Sequence, residues 1–318
     1  MNIKTVIIFG ATGMQGQPQI VEALRQGYKV KAASRNPSAF ANPKLKAVAA
    51  VRADYDDPAS LDAVLVGVDA ILLQVPAMGN LPQLLRQCEN LISAVKRSSV
   101  QLLVFNSSMW APDEPCGDPT FDGVLQTEEV FRRANLPVIV FRPTVFMDNL
   151  LTPFMKPMLT NEGLYRYAHQ ADLASDWICH DDLAKFMVAA LKRPDLIGKK
   201  IHIGGPERLT TLQVVDIISQ TAGTPIRYEH ITPRQLGERF YALTAAGQGT
   251  GGDISSISRE HFIDAFDHFY TFINTSPLRP FQANVQTALG LIPVPLTNMR
   301  TWAKAQDWSA GTRWRKAS

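Results

Sequence analysis

Three glycines near the start of the chain, Gly10, Gly13 and Gly16, have the spacing of a turn that can bind phosphate. Residues 6–9 before them are all β-branched or aromatic, so this short run is predicted to be a buried strand of a parallel sheet. The missing side chains let backbone N–H groups approach a pyrophosphate at the start of the following helix. Strand, glycine turn and helix together predict a dinucleotide site, whereas the spacing alone also occurs in ordinary turns.

A cation follows the second predicted strand, residues 28–34. In a sheet of this kind, an acidic residue at that strand end hydrogen-bonds the ribose hydroxyls of NAD, whereas a cation neutralises the 2′-phosphate of NADP. Arg35 therefore favours NADP(H), although a solvated surface arginine is also compatible with this position. After the third predicted strand, residues 47–51, Asp54 is placed to accept a hydrogen bond from the adenine amino group, with Tyr55 beside the adenine ring.

The elements that position these residues alternate along the chain. The first helix has Ile20, Val21 and Leu24 as its apolar stripe and ends at Gly27. Further strands are predicted at residues 70–75, 101–105 and 138–141, and further helices at residues 59–66, 81–96 and 122–134. This alternation predicts a doubly wound α/β fold, a parallel sheet of the Rossmann type, whose ligand lies at the carboxyl ends of the strands.

Composition changes after the sixth predicted strand, where prolines and tyrosines become more frequent. We predict an NADP(H)-binding domain over residues 1–150 and a smaller C-terminal α/β substrate or partner lobe mainly over residues 151–318. A later segment, about residues 175–205, is expected to return to the first domain. Apolar residues at helical spacing within residues 262–273 fit either core packing or a roof over a planar substrate. The glycine-rich residues 247–252 are interpreted as a mobile loop.

Composition and charge narrow the class of protein. The 318 residues are 46% hydrophobic and 19% charged, which predicts a globular chain. Residues 301–318 alone account for the net charge of +3, so direct nucleic-acid binding is disfavoured. Cys88, Cys116 and Cys179 lack metal-site spacing and are interpreted as reduced thiols, so no metal site is predicted. No signal peptide or membrane span is predicted, which favours a cytoplasmic location, and the oligomeric state is left open.

Several of these segments together make the chain resemble the NmrA-like family of atypical short-chain dehydrogenases. They are residues 10–16, Ser34-Arg35-Asn36, Ala53-Asp54-Tyr55, Asn106-Ser107-Ser108, and Arg142-Pro143 followed by Asn149. The resemblance implies NADP(H) along the carboxyl edge of the sheet. The implied cofactor-binding residues are Gly10, Thr12, Gly13, Met14, Gln15 and Gly16 at the pyrophosphate, Arg35 at the 2′-phosphate, Asp54 and Tyr55 at adenine, Gln74, Val75 and Pro76 along the cofactor, and Asn106, Ser107, Ser108, Pro143 and Thr144 towards the nicotinamide end.

The proton relay of ordinary short-chain dehydrogenases is missing from this sequence. That relay is a YxxxK motif in which lysine lowers the pKa of the tyrosine. No tyrosine occurs in residues 56–164 and no lysine in residues 97–155, so no catalytic residue is assigned. A hydrolase is disfavoured, because no GxSxG motif is present and His180 before two aspartates is typical of a helix start.

Two functions remain, and the family resemblance is compatible with both. The preferred one is an NADPH-dependent reductase of a small planar substrate, quinone-like or conjugated carbonyl, with Trp110 as a wall of the substrate site. Such an acceptor takes hydride readily, and its product can take a proton from water. The alternative is a non-catalytic NADP(H) redox sensor whose occupancy changes the surface that it offers to a protein partner.

Overall fold

The computed structural model describes residues 1–39, 48–75, 80–246 and 257–309. Pro76 and the loop predicted at residues 247–252 lie outside the described residues. The strands are β1 (Thr5–Phe9), β2 (Lys29–Ser34), β3 (Ala49–Arg52), β4 (Ala70–Gln74), β5 (Leu102–Asn106), β6 (Val138–Pro143), β7 (Leu164–Tyr167), β8 (Ala174–Asp176), β9 (Lys200–Ile203), β10 (Arg208–Thr210) and β11 (Arg227–His230). The helices are α1 (Gly16–Arg25), α2 (Pro58–Leu65), α3 (Leu81–Arg97), α4 (Pro119–Arg133), α5 (Met155–Asn161), α6 (His180–Ala190), α7 (Thr211–Ala222), α8 (Pro233–Ala245), α9 (Arg259–Thr275), α10 (Val285–Leu291) and α11 (Met299–Lys304).

The central sheet has seven strands in the order β3-β2-β1-β4-β5-β6-β9. Every neighbouring pair is parallel, so all the carboxyl ends meet at one edge. The strand order changes direction between β1 and β4, which is where sheets of this kind open a ligand crevice. The predicted doubly wound Rossmann-type sheet is confirmed.

The side chains of β1 alternate between two hydrophobic layers. Val6 and Ile8 pack with residues of α1 and α6, whereas Ile7 and Phe9 pack with residues of α2, α3 and α4. All four side chains are buried because helices cover both faces of the strand. Cys88 is buried in the second layer.

The buried face of α1 differs from the predicted one. Val21, which the sequence places in the apolar stripe, is 55% exposed. The inward face instead contains Ile20, Ala23 and the fully buried Gln19, and α1 packs against α6. The prediction at Val21 was wrong because contact with α6 sets the rotation of the helix, and the pattern of α1 alone does not report that contact.

A second hydrophobic core, rich in aromatic side chains, is built mainly by residues after β6, together with Trp110 and Phe121. Here β7 pairs in parallel with β11, and β8 pairs antiparallel with β10. In α9, Phe262, Phe266 and Ile273 are buried in this core, which supports packing as the role of that stripe. Strand β9 pairs with β6 in the main sheet, while the division into two domains stays a prediction. Within the described ranges, every helix is too short or too polar to cross a bilayer.

Candidate functional site

The glycine turn is closed tightly against the end of β1. Gly10 has a φ of +71°, a left-handed conformation that favours glycine, and its carbonyl accepts a hydrogen bond from Gly13 N–H at 3.0 Å. A Cβ on Gly16 would overlap the Gly10 carbonyl, so α1 begins this close to the strand only with glycine there. Thr12 and Gly13 are exposed and Met14 is partly exposed. The turn therefore presents open backbone beside a helix start, as an anion site requires.

Asn106, at the end of β5, ties that strand to the glycine turn. Its Oδ1 accepts a hydrogen bond from Ser108 N–H at 2.9 Å, which leaves Nδ2 to donate to Gln15 Oε1 at 2.6 Å. Asn106 is fully buried, and both the oxygen and the nitrogen of its amide have hydrogen-bond partners inside the protein. The start of α1 and the end of β5 therefore hold a fixed relation before any ligand binds.

Two buried polar atoms beside this tie have no hydrogen-bond partner among the described residues: Gln74 Oε1 at the end of β4 and Ser108 Oγ after β5. Gln74 lies opposite Asn106 in the strand pairing, so both atoms belong to the same stretch of the sheet edge. Ser108 has a φ of +65°, a left-handed conformation that is unusual for a residue with a side chain. An orphaned buried polar atom is costly, so this edge is suited to a ligand that carries hydroxyl and amide groups.

Other predicted residues of the nicotinamide end already use their polar groups within the protein. Ser107 Oγ lies 2.8 Å from the Met109 carbonyl and 3.0 Å from the Phe141 carbonyl. Thr144 donates its hydroxyl to the Asp176 carbonyl and its N–H to the Ile203 carbonyl. Pro143, Thr144 and Val75 are buried. Cofactor contacts from these residues stay a prediction, and Ser108 is the one whose hydroxyl is unpartnered.

The predicted adenine end shows a different arrangement. Arg35 and its neighbour Asn36 are exposed after β2. The Tyr55 ring stacks on Phe9 with centroids 5.4 Å apart, and its hydroxyl donates to the Gln74 carbonyl at 3.1 Å. Burial raises the pKa of Tyr55 far above its ordinary value, so the hydroxyl stays neutral. Asp54 Oδ1 accepts from Asp56 N–H. Tyr55 thus supports the ends of β1 and β4, and its contact with adenine stays a prediction.

A buried ion pair joins the inner face of α4, the helix after β5, to strand β6. Arg142 is fully buried in β6 and donates to both carboxylate oxygens of Glu128, at 2.8 and 2.6 Å. It also donates to the Ala111 carbonyl at 3.2 Å and to Asp113 at 2.9 Å. The pair binds α4 and the segment before it to the sheet. The sequence showed a signal for it that was missed: an arginine inside an otherwise apolar strand.

Trp110, the predicted wall of the substrate site, lies in the same segment and is 6% exposed. Its ring meets Phe121 edge to face at 5.2 Å and lies 6.1 Å from the His202 ring. His202 Nε2 is 2.7 Å from the Ala111 carbonyl, which makes it a second anchor of this segment. A substrate contact from Trp110 stays a prediction, since most of its surface packs against the protein.

Two histidines outside the sheet edge are also buried. His180 opens α6, as predicted, and its N–H donates to Asp148 at 2.9 Å. His169 lies among aromatic rings, with centroids 4.8 Å from Tyr167 and 5.6 Å from Tyr270, and its Nδ1 has no partner among the described residues. Burial lowers the pKa of His169 to about 3, so the ring stays neutral in the folded protein.

This depressed pKa gives the folded protein an acid sensitivity that begins well above pH 4. The unfolded chain binds a proton at His169 near pH 6.5, whereas the folded chain does so only near pH 3. The contribution of His169 to stability is therefore complete above pH 6.5 and is lost as the pH falls. Relative to its value at pH 7.5, the free energy of unfolding at pH 5 should fall by about 2 kcal/mol more in the wild type than in His169→Gln. Urea titrations at the two pH values measure this difference, and equal losses would contradict it.

The parallel sheet with a glycine turn at its switch point defines a Rossmann-type α/β fold. The described ranges contain no cluster of three or more His, Cys, Asp or Glu residues suited to a metal. The chain belongs to the NmrA-like family, whose family model matches residues 2–272. The predicted family is therefore confirmed.

Similar proteins include both enzymes and a regulator. The NAD(P)H azoreductase of Xenophilus azovorans is 26% identical over 244 residues, which cover 76% of this chain and 81% of that protein. The Escherichia coli NADPH-dependent quinone oxidoreductase complexed with NADPH is 19% identical, covering 94% of this chain and 98% of that one, with a TM-score of 0.72. NmrA, a negative transcriptional regulator, in complex with NADP is 16% identical, covering 97% and 99%, with a TM-score of 0.70.

Proposed function

We propose that this protein binds NADP(H) and transfers hydride from NADPH to a quinone-like or conjugated carbonyl acceptor. The observation that carries the proposal is the pair of orphaned atoms, Gln74 Oε1 and Ser108 Oγ, beside a glycine turn with open backbone. A dinucleotide along this edge would offer phosphate to the turn and hydroxyl and amide groups to the two atoms. The NADP and NADPH complexes of similar structures and the azoreductase relative support the proposal.

In the proposed reaction the residues of the chain bind and orient, and bound NADPH supplies the hydride. Ser108 Oγ is free to donate a hydrogen bond to the cofactor or the acceptor. Trp110 is the proposed wall of the acceptor site. Two other candidates for proton transfer are already engaged: Glu128 with Arg142, and the Tyr55 hydroxyl with the Gln74 carbonyl. A quinone-like acceptor suits such a site, because its phenolate product can take a proton from water.

Arg35→Asp should weaken NADPH binding about tenfold to hundredfold and leave NADH binding within about threefold of the wild type. The physical reason is that the guanidinium pairs with the 2′-phosphate, which NADH lacks. Arg35 is exposed, so folding should not change. Fluorescence titrations of both cofactors measure the effect, and Arg227→Asp, at an exposed arginine on β11, is the matched control. Equal losses for NADPH and NADH would show that Arg35 is not the selector.

The reductase proposal is tested by following NADPH absorbance with quinones, enals and azo dyes as acceptors. Oxidation above the protein-free rate is expected with at least one quinone. Ser108→Ala, which removes only the orphaned hydroxyl, should lower kcat/KM about tenfold. A protein that binds NADPH but oxidises it with no acceptor in the panel would contradict the reductase proposal.

A redox sensor is the second candidate, and the buried Glu128–Arg142 pair favours it. Arg142 engages Glu128 of α4, the chain has no YxxxK relay, and NmrA is a regulator complexed with NADP. A sensor should bind NADP+ and NADPH with different affinities and show no turnover. Calorimetric titration of the two forms, beside the acceptor panel, separates the candidates. Equal affinities would argue against sensing.

A further inference from the structure

A surface cleft with a volume of about 670 Å³ lies at the outer edge of the main sheet. One wall is the segment after β9, residues 205–208, and the other is formed by residues 277–279 and 282–286, which are the loop before α10 and the first residues of that helix. Strand β9 neighbours β6, whose end carries Pro143 and Thr144 of the predicted nicotinamide end, and the Thr144 hydroxyl donates to the carbonyl of the cleft residue Asp176. None of the predicted cofactor-binding residues lines the cleft itself. Its volume is in the range of about 300–1,000 Å³ that is usual for small-molecule sites.

The charged side chains of the cleft leave cationic donors free. Arg208 binds Asp176 through Nε and Nη2, each at 2.8 Å, so its Nη1 has no hydrogen bond to the described residues. Arg279 is exposed, and its guanidinium has no partner in the described part of the chain. The two carboxylates are engaged, Asp176 by Arg208 and Glu207 by the Met299 N–H at 3.0 Å. The two arginines and the two carboxylates balance in formal charge, and the free cationic donors of the cleft are Arg208 Nη1 and the Arg279 guanidinium.

The loop that carries Arg279 is held in an unusual backbone conformation. Arg279 has a φ of +49° and Phe281 a φ of +69°, both left-handed, and Arg279 precedes a proline, where extended backbone is the rule. Buried Asp176 fixes this conformation: its N–H donates to the Phe281 carbonyl at 2.8 Å, and its Oδ2 accepts from Ala283 N–H at 2.7 Å. Strained residues that the surroundings hold in place are concentrated at ligand sites.

We propose that this cleft is a second ligand site, which binds a small molecule bearing a carboxylate or phosphate group through Arg208 and Arg279. Guanidinium groups form paired hydrogen bonds with such anions. The amides of Gln282 and Gln286 also line the cleft and can contact the neutral part of the ligand. The site is independent of the proposed reductase or sensor function, since no step of either uses the cleft.

Calorimetric titration of the full chain with malonate and, separately, with inorganic phosphate tests the site and distinguishes the two anion types. At least one anion should bind saturably below about 10 mM, and Arg279→Gln should weaken that binding at least about tenfold. Arg279 is exposed and Gln keeps its Cβ, so the variant should fold. Arg227 is an exposed arginine on β11, and the anion affinity of Arg227→Gln should stay within about twofold of that of the wild type.

Two results would overturn the proposal. One is the absence of saturable binding of either anion, and the other is equal binding by wild type and Arg279→Gln. Phosphate could also occupy the nucleotide edge, so Arg35→Asp is titrated in parallel. If Arg35→Asp removes phosphate binding and Arg279→Gln leaves it intact, phosphate binds at the nucleotide edge. That result would also overturn the assignment of phosphate to the cleft. These titrations contain neither NADPH nor an acceptor. A failure of the proposal for the cleft is therefore distinguishable from a failure of the reductase proposal.

Discussion

Arg142→Met is expected to lower the free energy of unfolding by about 3–5 kcal/mol. The Arg142 side chain is 0% exposed and that of Glu128 is 1% exposed, so removal of the guanidinium leaves a buried carboxylate without its main partner. Lys200 Nζ, 3.5 Å from Glu128 Oε2, offsets only part of this loss, since it is the more distant cation. Urea unfolding monitored by circular dichroism measures the change in the free energy of unfolding.

Two control variants separate the buried charge from lost packing. Arg142→Met combined with Glu128→Leu should recover most of the stability, because both charges are then removed from the interior. Asp113→Asn should change the free energy of unfolding by less than about 0.5 kcal/mol, since the Asp113 side chain is 81% exposed. If Arg142→Met is as stable as the wild type, the ion pair does not stabilise the contact between α4 and the sheet.

Gly16→Ala is expected to weaken NADPH binding about a hundredfold, provided that the glycine turn holds the pyrophosphate as proposed. The added Cβ would overlap the Gly10 carbonyl and the Ala11 Cα, which are backbone atoms and cannot rotate away. The turn must therefore move relative to the start of α1. Alanine favours helices more than glycine does, so a loss of affinity cannot come from a weaker helix. Fluorescence titration with NADPH measures the affinity.

Gly290→Ala is the matched control for this substitution. Gly290 lies within α10, and a Cβ placed there meets no atom within 4 Å. NADPH affinity should stay unchanged, and stability should rise by up to about 1 kcal/mol because alanine replaces a helical glycine. If Gly16→Ala binds NADPH as tightly as Gly290→Ala does, the turn is not the pyrophosphate site.

The framework of the sheet could be predicted from the sequence because it depends on local patterns. The apolar run of β1 and its glycines show a buried strand and a tight turn without reference to the rest of the chain. Strand β9 lies within the segment of about residues 175–205 that was expected to return to the first domain, and it pairs with β6. The spacing of apolar residues and the residue types in the turns are sufficient to predict such elements.

Most of the polar interior could not be predicted, since it depends on partners that lie on other elements. The amide of Asn106 meets Gln15 across 91 positions, and Arg142 meets Glu128 on a different element. On α1 the expected pattern is reversed, because the polar Gln19 is fully buried whereas the apolar Val21 is exposed to solvent. The left-handed backbone of Ser108 could not be predicted from local sequence either, because glycine is the residue that normally adopts this conformation. These features are decided by tertiary packing.

The hydrogen bond between Asn106 and Gln15 also affects the thermodynamics of ligand binding. It joins the start of α1 to the end of β5 in the absence of any ligand, so the conformational entropy of bringing them together is lost during folding. A ligand that contacts both would then meet a preorganised surface and lose little affinity to ordering of the protein. Asn106→Ala would move that entropy cost into the binding step, so the binding entropy, more than the binding enthalpy, would report the loss of this single amide.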